Sequence, residues 1–287
     1  MKDGPSTSSG RTDLVLVGEA IRAAAEALAS VSDTARLDAE WLMAHALGVS
    51  RSDMLLRHMR DPAPEAFAAL IARRARHEPV AYITGTAEFY GLTLAVTPAT
   101  LIPRGDSETL IEAAREHGGA QGRALDLGTG SGALLLAVLA NREGWEGVGL
   151  DASDEALAVA ERNAAALGLT QRSAWHHRNW HTPDWTEGLG SFDLILCNPP
   201  YIEEDAQLDP QVRDHEPASA LFAGPEGLDD YRVLIPQLRA LLKPDGIAIL
   251  EIGANQAEAV GALATASGFA TRLRRDLAGR PRALILM

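Results

Sequence analysis

Arg123-Ala124-Leu125-Asp126-Leu127-Gly128-Thr129-Gly130-Ser131-Gly132 decides how this chain is read. An apolar strand opens into a turn with glycine at every second position. The following Ala133–Ala140 is an apolar run that predicts a helix. Glycines let a backbone pass close to a ligand and take φ values closed to other residues. In an open α/β sheet, the turn after the first strand is where nucleotide-like ligands sit.

The segments around this turn alternate in the same way. Gly147–Leu150 predicts a strand and Asp154–Leu167 a helix, and Ser173–His177 and Phe192–Cys197 are further strands. Leu228–Leu242 predicts a helix, Gly246–Ile252 a strand and Gln256–Ser267 another helix. Ala270–Arg275 and Arg282–Leu286 end the chain as strands close enough for an antiparallel edge hairpin. Such alternation predicts a Rossmann-like α/β fold with a mainly parallel seven-stranded sheet between helices, over residues 105–287.

Upstream the pattern differs. Ile21, Ala24, Ala25 and Leu28 recur at helical spacing. Asp33 is placed to cap a second helix whose Leu37, Trp41, Leu42 and Leu47 share a stripe expected in the core, with Gly48 closing it. Asp53 starts a third helix, and Glu65–Arg76 forms a fourth after Pro62 and Pro64. Residues 13–78 therefore predict a small helical bundle. Residues 79–104 predict a β-hairpin linker, from Tyr82, Ile83, Phe89, Tyr90, Leu92 and Leu94 punctuated by Gly85 and Gly91. Residues 1–12, rich in Ser, Gly, Pro and Thr, read as a disordered tail.

Asp151 ends the second strand of the sheet, nineteen residues after Gly132. A carboxylate there can accept from both hydroxyls of a ribose. That pairing suits NAD or S-adenosylmethionine. The G-x-G-x-G spacing of Gly128, Gly130 and Gly132 is tighter than the dinucleotide G-x-G-x-x-G and favours the latter. A tight structural turn with a helix-capping Asp is the competing reading. The Gly-Lys-Ser/Thr of a P-loop is missing.

Phe192–Cys197 runs directly into Asn198-Pro199-Pro200-Tyr201. Two prolines fix their own φ, hold the residue before each extended and remove two N–H donors. The carbonyls of Asn198 and Pro199 are thus left without neighbouring donors. The Asn198 side chain adds an acceptor, and Tyr201 adds a flat face. Such a cup suits a planar NH2 group, although Asn-Pro-Pro also makes an ordinary strand-ending turn. His176, His177 and His181 match no metal-ligand spacing and read as ordinary strand and loop residues, and Cys197 as a small buried one.

The bulk composition narrows the partners. A net charge of -13 argues against affinity for a phosphate backbone, which needs clustered Lys and Arg. One cysteine fits a reducing cytoplasm, and no apolar stretch approaches the ~20 residues that span a bilayer. The N-terminus lacks the basic-then-apolar pattern of a signal peptide.

Asp126–Gly132 together with Asn198–Tyr201 resembles a class I S-adenosylmethionine-dependent methyltransferase acting on a planar nitrogen. Several further segments resemble the peptide chain release factor glutamine methyltransferases, the PrmC/HemK family. They are Arg36–Glu40, Glu78–Gly85, Leu101–Arg104, Leu250–Gly253 with Gln256, and Asp276–Gly279 with Arg282. The likeness covers nearly the whole chain after the first dozen residues. Gly105 stands where the family usually has proline, and Asn179 where it often has Asp before Trp180.

The resemblance implies methyl transfer from S-adenosylmethionine to the N5 amide nitrogen of the glutamine in the Gly-Gly-Gln loop of class I release factors. Gly128, Thr129, Gly130, Ser131, Gly132, Asp151, Trp180 and Asn198 would then hold the cofactor, with no metal. Asn198, Pro199, Pro200 and Tyr201 would hold the glutamine, with Asn198, Pro199 and Tyr201 serving catalysis and Tyr201 packing on the amide plane. The implied enzyme is a cytoplasmic monomer with a protein substrate and neither nucleic acid nor membrane as partner. An N6-adenine nucleic-acid methyltransferase would use the same cup but needs a basic groove. A cofactor-sensing binding protein would not need the cup at all.

Overall fold

A computed structural model describes residues 14–287, and the chain divides after Thr84 into two units. The tail expected over residues 1–12 lies outside the described residues.

In the first unit, α1 (Val17–Leu28), α2 (Ala35–Leu47), α3 (Arg51–Asp53), α4 (Ala66–Arg74) and α5 (Val80–Thr84) follow one another, with one π-helical turn, Met54–His58, after α3. Val17, Ile21, Leu42, Met43, Met54 and Phe67 are buried together. Gly48 closes α2 at φ 68°, in the left-handed region where glycine is favoured. The stripe of α2 is rotated from the expected one, because Leu37 and Trp41 are 39% and 44% exposed. Asp38 and Glu40 are buried in their stead. Arg74 Nε bonds Asp38 at 2.7 Å, and Arg36 and Arg51 both reach Glu40. With apolar residues on several sides of this helix, those buried ion pairs select the face that turns inward. Thr34, not Asp33, is the N-cap residue, and its hydroxyl donates to Asp38.

The β-branched and aromatic run Val80–Thr84 is helical, not the first half of a hairpin. The Pro79 carbonyl accepts from Tyr82 and Ile83, and Arg73 holds Glu78, so burial of Tyr82 and Ile83 overrides their strand propensity. The hairpin proper begins the second unit: β1 (Thr86–Phe89) and β2 (Leu92–Ala95), paired antiparallel. Tyr90 at φ 49° and Gly91 at φ 76° make the two-residue turn with both φ positive that matches strand twist. Glu108 accepts from the Tyr90 N–H at 2.9 Å and steadies that unusual non-glycine conformation.

After the hairpin come α6 (Glu108–Arg115), β3 (Gln121–Leu127), α7 (Ala133–Ala140), β4 (Gly144–Asp151), α8 (Asp154–Ala166), β5 (Ser173–His177) and β6 (Phe192–Cys197). The chain ends with α9 (Pro210–Arg213), α10 (Asp229–Leu241), β7 (Leu242–Glu251), α11 (Ala257–Ala266), β8 (Thr271–Arg275) and β9 (Pro281–Leu286). The sheet order is β5-β4-β3-β6-β7-β9-β8, parallel except where β9 pairs antiparallel with β7 and β8. Successive side chains alternate between faces. Ala124, Leu194, Leu196, Ile247 and Ile249 face α6 and α7, while Leu125, Leu127, Ile195, Ala248 and Leu250 face α10 and α11. Both faces are buried, which is why these strands read as continuous apolar runs. The order reverses between β3 and β6, the switch point at which open α/β sheets bind ligands.

Candidate active site at the sheet switch point

Because Leu127 on β3 pairs with Cys197 on β6, the glycine turn and the Asn-Pro-Pro turn leave the sheet side by side. Asp151 leaves β4 on the other flank of β3. A cavity of about 450 Å3 opens over these strand ends, a size usual for a small-molecule site. Gly128, Thr129, Gly130, Ser131, Asp151, Trp180, Asn198 and Pro200 line it, as do Leu101, Ser107, Phe222 and Asp230. Gly132, Pro199 and Tyr201 are not among the lining residues.

The glycine turn is held from below. Gly128, Gly130 and Gly132 have φ of 70°, 55° and 82°, a left-handed succession that side chains would strain. A Cβ on Gly128 would stand 3.1 Å from the Trp180 ring, whereas one on Gly130 would meet nothing within 4 Å and would project into a free cradle. Thr129 donates through its N–H to Leu150 O and through its hydroxyl to Asp126. Asn163, on α8 and only 3% exposed, donates to Ser131 O at 2.8 Å while pairing with both the N–H and the C=O of Ala95.

Asp151 accepts from Gly130 N at 2.8 Å on one oxygen and from Ser153 N at 3.0 Å on the other. Each oxygen keeps a second lone pair for a ligand. Burial pushes this carboxyl above the usual range, while the backbone donors of Gly130, Ser153 and Ala152 pull the other way. Asp126 lies deeper, fully buried. Desolvation raises it to about 7, opposed by the Thr129 hydroxyl and the Leu135 amide.

Two residues not anticipated in the sequence complete one wall. Asp230, at the start of α10 and 6% exposed, accepts from the Trp180 indole N–H at 2.6 Å. The same oxygen lies 2.9 Å from His181 Nε2. His181, read as an ordinary loop residue, therefore lines the cavity. His176 and His177 do not, and among the described residues no His, Cys, Asp and Glu cluster fit to hold a metal occurs. Asn179 lines the cavity, but its side-chain oxygen already accepts from His181 N at 2.9 Å.

Among the described residues nothing donates to the Asn198 amide oxygen or to the Pro199 carbonyl. Tyr201, by contrast, is engaged. Its N–H donates to Leu221 O, its ring packs on the core under α10, and its hydroxyl donates to Glu251 at 3.1 Å. It is thus an anchor of the turn and not a face of the cavity. Glu216, 5% exposed, accepts from Ile102 N and pairs with Arg104, tying the loop before α6 to the segment that carries Phe222. Arg104 is thus ion-paired with Glu216, and Glu108 accepts from the Tyr90 N–H.

The glycine cradle, the acid beyond it and the flanking indole suit a nucleoside-bearing cofactor, and the unpaired acceptors beside them suit an NH2 group. Comparisons with known proteins give the family. Residues 19–85 match the PrmC N-terminal domain family and residues 105–215 the methyltransferase small domain family. The release factor glutamine methyltransferase of Caulobacter vibrioides is 43% identical over 266 residues, covering 88% of this chain and 89% of that one. That of Rhodospirillum rubrum is 44% identical over 258 residues, covering 87% and 78%. Two solved structures share the methyltransferase fold. The hMettl16 catalytic domain, in complex with MAT2A 3'UTR hairpin 6, superposes with a TM-score of 0.54 at 17% identity over 76% of this chain and 80% of its own. A methyltransferase from Pyrococcus furiosus superposes with a TM-score of 0.51 at 16% identity over 68% and 88%. The chain belongs to the release factor glutamine methyltransferase family.

Proposed function

We propose that this enzyme methylates the N5 side-chain nitrogen of the glutamine in the Gly-Gly-Gln loop of class I peptide chain release factors. The products are N5-methylglutamine and S-adenosylhomocysteine. The observation that carries the reading is a pair of acceptors unengaged among the described residues, Asn198 Oδ1 and Pro199 O, in the turn that leaves the strand next to the glycine cradle.

The cradle fits S-adenosylmethionine in kind. Gly128 to Ser131 would face its methionine part, Asp151 its ribose hydroxyls and Trp180 its adenine, with Asp230 fixing the indole. Bound there, the cofactor would supply an electrophilic methyl carried on a sulfonium sulfur, a leaving group that takes the bonding pair. The protein's task is to make an amide nitrogen nucleophilic, because its lone pair is delocalised into the carbonyl. Accepting both N–H bonds at Asn198 and Pro199 turns the lone pair towards the methyl and stabilises the positive charge that develops on nitrogen. Fixed acceptors aimed at developing charge act electrostatically, in addition to alignment. No general base is needed, since the alkylated nitrogen becomes acidic and releases its proton to water.

The helical unit, residues 13–78 in the sequence reading, serves as a docking surface for a substrate far larger than the cavity. In this reading the enzyme acts as a cytoplasmic monomer on protein alone, without nucleic acid, membrane or metal. The charge of -13 supports the choice of protein over nucleic acid. The test offers labelled cofactor with release factor, release factor whose loop glutamine is replaced, and duplex DNA. Label on the first alone is expected. Label on the DNA, or on the glutamine-less factor, refutes the assignment.

A further inference from the structure

Glu251 ends β7, and because Cys197 pairs with Leu250 it lies beside Asn198 at the next step of the ladder. It is 1% exposed, and burial raises its pKa against the pull of Ser107 and Arg282. One carboxylate oxygen accepts from the Tyr201 hydroxyl, and the other has no hydrogen-bond partner. Ser107 Oγ stands near enough to favour the ionised form without completing a bond of its own. A buried carboxylate in this state is costly, and an apolar side chain of like volume would usually serve stability better.

What it holds explains its presence. Tyr201 is gripped at three points: its N–H by Leu221 O, its hydroxyl by Glu251, and its carbonyl by Gln256 Nε2 at 3.0 Å. Gln256 also donates to Gly227 O at 3.1 Å and accepts from Gly253 N at 2.9 Å. Gly227, at φ 65°, lies so close that a Cβ there would fall 2.3 Å from Tyr201 O. Two and three residues upstream, the acceptors of Pro199 and Asn198 are free among the described residues. A turn fixed rigidly at one end and left unpaired at the other suits acceptors that must hold their aim without being used up.

We propose that Glu251 and Gln256 are positioning residues for methyl transfer, which set the aim of the Asn198 and Pro199 acceptors by clamping Tyr201 through its hydroxyl and its carbonyl. The proposal rests on the reading of Asn198–Tyr201 as the acceptor turn. Four variants of the full chain, Tyr201→Phe, Gln256→Ala, Glu251→Ala and Glu251→Gln, are compared for kcat and KM on intact release factor, cofactor Kd and Tm. Tyr201→Phe and Gln256→Ala each lower kcat about tenfold, as loss of a bond to a charged or buried partner does, with cofactor Kd and KM within about twofold. Glu251→Gln keeps an acceptor for the Tyr201 hydroxyl and recovers most of the kcat lost in Glu251→Ala.

If Glu251→Ala does not fold, Tyr201→Phe decides alone, since it keeps the ring. Wild-type kcat in Tyr201→Phe overturns the proposal, and so does a loss of kcat matched by an equal loss of cofactor affinity. Asn198→Ala, run alongside, separates the two layers. If it stays fully active, the acceptor turn itself is misassigned. If it is inactive while Tyr201→Phe is normal, only the clamp is wrong.

Discussion

Replacing Asp126 by Asn should change the stability by an amount that depends on pH in a defined direction. Asp126 is fully buried beneath the glycine turn, and desolvation raises its pKa from 3.8 to about 7. A carboxyl raised in the folded state stays protonated there while the unfolded chain releases its proton. Between pH 4 and 7 the folded state thus binds more protons than the unfolded one, and this group's contribution to stability falls as pH rises. Below pH 4 both states are protonated, and above pH 7 both are ionised, so the dependence flattens at each end. The shift is worth about 4 kcal/mol in total at ~1.36 kcal/mol per unit, of which about 2 kcal/mol falls between pH 5 and 7. Asn cannot ionise, and its amide oxygen can still accept from Thr129, which bonds Asp126 at 2.6 Å. The stability difference between variant and parent should therefore shift in the variant's favour by about 2–3 kcal/mol from pH 5 to pH 7.5. Denaturant titrations without cofactor, followed by tryptophan fluorescence, measure it. Trp145, Trp175, Trp180 and Trp185 lie in the second unit and only Trp41 in the first, so the signal reports mainly the unit that matters. A difference that stays constant with pH would refute the placement of an ionising carboxyl at Asp126.

Asn198→Ala should lower turnover on release factor by about 10²–10³, the usual cost of one preorganised electrostatic partner, while calorimetry finds a much smaller change in cofactor affinity. Asp230→Ala leaves the Trp180 indole without its acceptor. It should weaken cofactor binding about tenfold, with turnover at saturating cofactor nearly unchanged. A chain starting at Gly85 should bind cofactor with nearly the affinity of the parent yet methylate release factor poorly. Equal rates on release factor would show that the helical unit takes no part in docking.

How much of this was legible depended on how local each signal was. Helix Ala133–Ala140 and strands Ser173–His177 and Phe192–Cys197 run between the residues read from sequence. Strands buried on both faces are apolar throughout, and short loops leave little room for error. The α6 helix went unread because its Leu110, Ile111, Ala113 and Ala114 follow a Gly-Asp-Ser stretch that looks like loop. Val80–Thr84 carries strand-forming residues and folds as helix only because Pro79 and the bundle core impose it. Of the residues read from local motifs, Gly128, Gly130, Asp151, Trp180 and Asn198 line the cavity. Asp230 is chosen by an indole fifty positions away in the chain, and Tyr201 is turned from the cavity by a carboxylate equally distant. Neither contact leaves a mark in local spacing. An acid at the end of an apolar strand, as in Leu250-Glu251-Ile252, was the available hint.

Pairing of Leu127 with Cys197 has a geometric consequence for the family's chemistry. Adjacent strands lie ~4.8 Å apart, a spacing dictated by main-chain hydrogen bonds and indifferent to side chains. In the proposed reading, the loop that would cradle the methyl donor and the turn that would receive the methyl acceptor begin at the two ends of that interval. The sheet therefore acts as a fixed gauge for the reach between them. Insertions or substitutions beyond Gly132 or Tyr201 can alter which molecule enters without changing how far its nitrogen stands from the donor. Bulging β3 or β6 by one residue would shift that gauge by a whole step, so these strands should tolerate changes of side chain far better than changes of length.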